Sequence, residues 1–319
     1  MTAGSYSPPV SDTIEPCDTA PPNWRTPLLF GFYSDIHGNV DALVRVYEEL
    51  KRLGADHLFC GGDVVGYGAR PNECLALIRY AQGEREQREA AARAVEETGA
   101  DAVNELLDYL DATPHLTVKG NHDHAAISPG AELIFNSYAA QAIIWTRRNL
   151  SPDNTDWLQN LPLELTIAED GQPATRRGEA PILLRLVHAS PYEPERWHYL
   201  LNRQEIKRAF NALEEPFCFI GHTHQPVFFE QHEDGYIEVV TETDIVPSLF
   251  RRYIVNVGSV GQPRDNNHRS SFASFKFADN LREMKIRLHR TEYDAETAAE
   301  RILKAELPPE LAGRLLRGV

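Results

Sequence analysis

The 319-residue chain carries 32 lysines and arginines against 47 aspartates and glutamates, a formal charge of −15. That balance argues against a surface that holds nucleic acid non-specifically through phosphate contacts and disfavours a nuclease, so any phosphorylated ligand must be drawn by something local. No run approaches the roughly 20 apolar residues of a membrane span. The four cysteines, Cys17, Cys60, Cys74 and Cys218, show no CxxC spacing, which predicts reduced thiols in a cytoplasmic protein.

The opening "MTAGSYSPPVSDTIEPCDTAPPNW" is rich in Pro, Ser and Thr and lacks the basic and apolar regions of a secretory signal, so residues 1–26 read as a flexible tail. After Pro27, "LLFGFYSD" (28–35) reads as a strand. Val40, Leu43, Val44, Tyr47 and Leu50 then recur with the i, i+3, i+4, i+7 spacing of one helical face. "HLFCGGD" (57–63), a helix near "PNECLALIRYA", a charged helical stretch over 84–111 and a strand "HLTVKGNHD" (115–123) follow. Such a β-α-β-α-β series predicts a largely parallel sheet whose carboxyl ends meet at one edge, where ligands bind in open α/β folds.

Residues 130–165 read as helical and 168–181 as a hairpin turn or loop. Strands then dominate: "ILLRLVHAS" (182–190), "FCFIGHTH" (217–224), "VFFEQHEDGYIEVV" (227–240) turning at Asp234 and Gly235, and "RYIVNVGSVG" (252–261). "SFASFKF" (271–277) and "MKIRLHR" (284–290) alternate apolar and polar residues around a turn at Asp279 and Asn280, as antiparallel strands do. A helix or two closes the chain from Asp294 to Leu316. The expected plan is a tail, a domain over 27–290 with helical insertions at 84–111 and 130–165, and a C-terminal helical segment, 291–319, packed on it.

Five strand ends carry the same kind of cargo: Asp35 and His37 in "SDIHGN", Asp63 in "GGDVVGYG", Asn121 and His122 in "KGNHDH", His188 in "LVHAS", and His222 and His224 in "GHTHQP". A lone histidine after an apolar run is an ordinary core or turn residue. Gathering four of these histidines (His37, His188, His222 and His224) with two aspartates and an asparagine at adjacent strand ends is costly unless something compensates them, and divalent cations do so. Oxygen and imidazole donors without thiolate suit Mn, Fe, Zn or Ni and disfavour a structural zinc. Seven side chains exceed the needs of one ion. They divide into two shells sharing a bridging carboxylate, the roughly 3.5–4 Å pair that clamps attacking and leaving oxygens in phosphoryl transfer.

The ordered set D-x-H-G-N, G-D, G-N-H-D, H, G-H-T-H, spanning Phe30 to about Pro226, resembles the calcineurin-like metallophosphoesterase superfamily. "GGDVVGYGARPNEC" and "NVGSVGQPRD" look like its bacterial branch of predicted phosphodiesterases and phosphatases related to diadenosine tetraphosphatase. The resemblance implies a four-layer α/β/β/α sandwich of two mixed sheets flanked by helices, with helical cap insertions. It implies that Asp35, His37 and His224 hold one metal and Asn121, His188 and His222 the other, with Asp63 bridging them and Mn or Fe favoured. It further implies in-line attack on phosphorus by a metal-bridging hydroxide, with His122 stabilising or protonating the leaving oxygen and Asp123 orienting His122.

Two departures bear on this. Ala189 stands where the branch has glycine, a slight crowding that leaves metal binding possible. Protein Ser/Thr phosphatases carry an arginine after the bridging aspartate and a glutamate at the end of the third motif; "VVGYG" and Asp123 stand here and weigh against that reading. The activity expected is hydrolysis of a small phosphodiester or phosphomonoester, a nucleotide among the candidates. The rival is a non-catalytic scaffold of the same fold, against which the intact set with His122 argues. Substrate contacts are expected from Asn39, Tyr67, Asn72, Arg264 and Arg196, the last beside Tyr192, Trp197, His198 and Tyr199. The helical insertions are expected to cap the metals.

Overall fold

The computed structural model describes residues 27–174, 182–248, 250–278 and 283–319. The expected tail with Cys17, residues 175–181 of the expected loop, and the turn at Asp279 and Asn280 lie outside them. In chain order the first elements are β1 (Leu28–Tyr33), α1 (Val40–Leu53), β2 (His57–Cys60), α2 (Pro71–Ala81), α3 (Arg88–Glu96), α4 (Val103–Ala112), β3 (His115–Thr117), α5 (Asn121–Ile127), α6 (Ser137–Asn149), α7 (Pro152–Asn160) and β4 (Glu164–Ala168). There follow β5 (Ile182–Val187), α8 (Arg203–Ala212), β6 (Phe217–Ile220), β7 (Val227–Gln231), β8 (Ile237–Val240), β9 (Asp244–Ile245), β10 (Arg252–Asn256), β11 (Ser270–Phe277), β12 (Lys285–Thr291), α9 (Ala295–Lys304) and α10 (Pro309–Arg317).

These strands make two six-stranded mixed sheets, ordered β3-β2-β1-β11-β12-β9 and β4-β5-β6-β10-β7-β8. In the first, β1, β2 and β3 run parallel and β11 returns antiparallel beside β1. In the second, β5, β6 and β10 run parallel, and β4 and β7 flank them antiparallel. The period-two alternation of a strand explains how one segment serves two cores. Phe30 and Phe32 of β1 enter the core between the sheets, while Tyr33 enters the core under the helices. Phe32 stacks on Phe219 of β6 with ring centroids 3.6 Å apart, which pins the two sheets together at the level of their carboxyl ends. Helices α1 to α4, α9 and α10 cover the outer face of the first sheet, and α8 covers the second. The expected four layers are present.

Several local readings are corrected. The third strand ends at Thr117, and Asn121 opens a helix instead of ending a strand. Asp123 causes this, because one of its oxygens accepts from Gly120 N at the head of α5 at 3.0 Å and the other from Val65 N in the loop after β2 at 3.1 Å. The insertion over 84–111 does not cap the metal candidates. Its apolar stripe, including Ala91, Val95, Leu107 and Leu110, packs into the same core as α1 and α2, in the outer helical layer. Helix α8 was not anticipated, although Asn202 caps it by accepting from Gln204 N and Glu205 N, both at 3.0 Å, and Ile206, Ala209 and Phe210 face the second sheet. The end of the 130–165 segment is strand β4, which pairs antiparallel with β5. Cys60, Cys74 and Cys218 are buried free thiols, pushed above the ordinary thiol range by burial. Among the described residues no helix is long and apolar enough to cross a membrane.

Candidate metal centre

Because the parallel strands of both sheets end at the same edge, their following loops converge. Asp35 and His37 follow β1, Asp63 follows β2, Asn121 and His122 open α5, His188 follows β5, and His222 and His224 follow β6. All are buried. Three overlapping triads result whose candidate ligand atoms lie within 4.8 Å of one another: Asp35, His37 and His224 form the first, His37, Asp63 and His122 the second, and Asp63, His188 and His222 the third. Asp63 Oδ2 lies between the first and the third, 3.7 Å from His37 Nε2 and 3.4 Å from His188 Nε2. Asn121 Oδ1 joins the third, 3.0 Å from His188 Nε2. Asp35, His37, Asp63, His222 and His224, five of the seven candidate ligands, hold left-handed backbone with φ between 51° and 66°. Such strain in non-glycine residues persists only where the surroundings over-determine it.

Three rings are oriented by backbone carbonyls: His37 Nδ1 by Val65 O at 3.2 Å, His188 Nδ1 by Gly61 O at 2.8 Å, and His224 Nδ1 by Gln262 O at 2.5 Å. A carbonyl only accepts, so each Nδ1 carries the hydrogen, and in the neutral ring Nε2 presents a lone pair. Yet His37 Nε2 and His224 Nε2 face each other at 3.1 Å. His188 Nε2 faces oxygens of Asn121 and Asp63, which accept from it when the ring is protonated. Between His37 and His224 acceptor faces acceptor, an arrangement relieved by a cation, and the carbonyl-anchored imidazole is the usual support of a metal-binding histidine.

Electrostatics agree with that fit. Burial holds His37 and His224 below the ordinary imidazole range, and therefore neutral. Although burial opposes it, the Asp35 carboxyl is held low mainly by His224 and the Asp63 carboxyl by His188. At His188 burial disfavours the charge, but Asp63 and then Asp35 outweigh it and raise the imidazole to about 9. The two carboxylates thus demand positive charge at this point, which a proton or a metal ion can meet. Among the described residues their ion-pair partners are histidines only.

His122 donates its backbone N–H to Asp63 Oδ1 at 2.8 Å and is wedged by ring contacts to His37, Tyr67 and Phe135 at 4.4–4.8 Å. Among the described residues its Nδ1 has no hydrogen-bond partner, and burial pushes the imidazole down to about 4. The expectation that Asp123 orients His122 is corrected: both Asp123 oxygens are engaged by backbone amides. Burial and then the Asp63 charge push Asp123 up to about 7.

Beside the cluster opens a cleft of about 450 Å³, bordered by His122 and His222, by Phe135 after the short turn Ala131–Ile134, and by the segment Arg196–Tyr199. Tyr67 and Arg264 also border it. Arg264 Nη2 donates to Tyr67 Oη and to Gln262 Oε1, both at 3.1 Å, and its guanidinium lies 5.5 Å from the Tyr67 ring centroid. Arg196 is 65% exposed and sits 3.5 Å from Glu193. Asn39 and Asn72 do not border the cleft. Asn39 caps α1 by accepting from Ala42 N at 3.1 Å and donates to Gly261 O at 3.0 Å. Asn72 donates to Asn149 O at 2.8 Å and accepts from Ser151 N and Asn154 Nδ2, tying α2 to the α6–α7 junction.

Sequence reasoning missed the supports. Ser259 Oγ donates to Asp35 O at 2.8 Å, and Asn256 Nδ2 donates to Gly221 O at 2.6 Å and Thr223 Oγ1 at 2.9 Å. Their signal was the polar end of "RYIVNVGSVG", a strand terminus like the others. Phe135 had no signal beyond its place in a segment expected to cap the site.

Over residues 28–226 the chain matches the family of calcineurin-like phosphoesterases. An uncharacterised protein of Methanocaldococcus jannaschii is 34% identical over 290 residues, 91% of this chain and 98% of that protein. A metallophosphoesterase from Sphaerobacter thermophilus superposes with a TM-score of 0.67 at 28% identity, covering 92% of this chain and 100% of its own. A hypothetical protein from Pyrococcus horikoshii OT3 shares the fold with a TM-score of 0.62 at 17% identity, over 92% of this chain and 99% of its own. With its motifs at the strand ends of such a sandwich, the chain belongs to the calcineurin-like phosphoesterase family.

Proposed function

We propose that the protein is a two-metal phosphoesterase that hydrolyses a small phosphodiester or phosphomonoester. The observation that carries the reading is the group of buried, overlapping triads joined through His37 and Asp63, in which His37 Nε2 and His224 Nε2 face each other as acceptors. In this reading Asp35, His37 and His224 would hold one ion and Asn121, His188 and His222 the other, with Asp63 as the carboxylate they would share; the donors suit Mn or Fe. The ions, when bound, supply charge neutralisation at the phosphoryl oxygens and a nucleophile at neutral pH.

The chain's own groups do the rest. In this reading Arg264, which borders the cleft and is held by Tyr67 and Gln262, binds a phosphoryl oxygen, and Arg196, which also borders it, meets a second anionic group. His122, neutral and fixed between three rings, borders the cleft and holds its N–H for the leaving oxygen. The buried, unpaired thiols fit a cytoplasmic protein, and the charge of −15 fits a small substrate better than a nucleic-acid partner.

The test is hydrolysis of p-nitrophenyl phosphate and bis-p-nitrophenyl phosphate by chelator-stripped protein, with single metals added back. Rescue by one metal is the expected result, and the ratio of the two rates ranks monoester against diester. Absence of hydrolysis with every metal would transfer the weight to a binding scaffold.

A further inference from the structure

The cleft beside the metal candidates is built for more than a phosphoryl group. Its volume, about 450 Å³, lies within the roughly 300–1,000 Å³ of small-molecule sites, so a substrate that fills it carries a second moiety. That moiety meets rings. Phe135, Trp197 and Tyr199 all border the cleft. At its rim, Ile134 is 83% and Tyr199 46% exposed, an apolar border in need of cover.

The segment carrying Trp197 and Tyr199 is held in one shape. Glu193 and Trp197, at φ 47° and 55°, bracket the turn Pro194–Arg196 in left-handed backbone that neither residue type favours. His198 is locked by Glu193 Oε2 at 3.1 Å and by stacking on Tyr192 at 5.4 Å. Trp197 sets its edge to His188 at 5.9 Å. Tyr199 lies on His222 with centroids 3.9 Å apart and planes 29° from parallel. One face of Tyr199 is thus spent on a candidate ligand, while the half-exposed side chain leaves area open to the cleft.

We infer that this shelf is a subsite for a planar aromatic group on the phosphoester, an aryl or heteroaryl ring, with Trp197 and Tyr199 as its stacking residues. The assignment rests on the phosphoesterase reading for its reaction but not for its binding. It predicts a preference of roughly tenfold to a hundredfold for a ring-bearing substrate, the range that stacking a base on an aromatic side chain contributes.

Adenosine 5′-monophosphate and ribose 5-phosphate share the phosphoryl group and the primary alkoxide and differ in the ring. Their methyl esters make the matching diester pair. Both pairs are compared by kcat/KM with the metal that supports turnover, and by calorimetric binding to chelator-stripped protein. The expected result is ring-selective hydrolysis and binding in the wild type, with the selectivity ratio falling toward one in Trp197→Leu and Tyr199→Leu. Equal hydrolysis and equal binding with and without the ring would overturn the subsite and leave the phosphoesterase standing. Ring-selective binding without hydrolysis of any ester would uphold the subsite and remove the reaction. If the variants fail to fold, the wild-type ratios decide.

Discussion

Asp35 and Asp63 can sit where they do because glycines let them. A Cβ on Gly221 would fall 2.1 Å from Asp35 Oδ2, and one on Gly120 would fall 2.0 Å from Asp63 Oδ1, so neither G-H-T-H nor G-N-H-D tolerates a side chain at its first position. That spacing was readable in the sequence as turn glycines, but the atoms they make room for were not. At this scale the roles assigned make two predictions. Asp63→Asn should lower the affinity for both ions, measured by metal analysis after dialysis; two retained metals with normal turnover would remove it from the position between them. His122→Asn should keep the metal content and lose about 10²-fold in rate, the usual worth of general acid help. An unchanged rate would take His122 out of the mechanism.

Among elements, β1, β3 and α1 meet at a buried polar contact that the metal candidates do not use. Tyr33 Oη meets Tyr47 Oη at 2.7 Å and also contacts His115 Nε2, while among the described residues His115 Nδ1 has no partner. Burial alone drives His115 down to about 3 from an ordinary 6.5. The unfolded chain therefore binds a proton below pH 6.5 that the folded chain refuses. This contribution to stability is complete above pH 6.5 and is lost as pH falls toward 3, by up to about 1.4 kcal/mol per pH unit. Urea midpoints from pH 7 to pH 5 should fall less steeply in His115→Gln than in the wild type; parallel slopes would show that His115 is protonated in the fold. Element readings succeeded where periodicity is local, as for β1 and α1. They failed at α5, where Asp123 turned a strand end into a helix start through amides on both sides, one of them 58 residues away in sequence.

For the molecule as a whole, the C-terminal helices are part of the same body as the site. Arg301 of α9 lies 3.1 Å from Asp41 of α1. Gly318, which ends α10 at φ 68°, accepts from Asn266 N at 2.8 Å and packs so closely that a Cβ would fall 2.5 Å from the Asn267 backbone. Two residues before Asn266 the same clasped segment carries Arg264. Gly318→Val should cost about 1–3 kcal/mol through left-handed strain, read by urea unfolding, and should raise KM more than it lowers kcat by displacing Arg264. An unchanged KM would detach α10 from the cleft.

The sequence by itself determined the inventory: which oxygen and imidazole donors follow the apolar strand runs, that thiolates are absent from them, and that they exceed the needs of one ion, because strand periodicity and end chemistry are local properties of the chain. Only the tertiary structure decided how they meet. His37 and His224 are 187 residues apart and face each other at 3.1 Å because Phe32 and Phe219 register one sheet on the other. The tautomers are set by carbonyls of Val65, Gly61 and Gln262, Asp123 is drawn away from His122, and the insertion over 84–111 is drawn to the outer layer. Each of these depends on contacts between segments distant in the chain, which packing selects and local pattern does not encode.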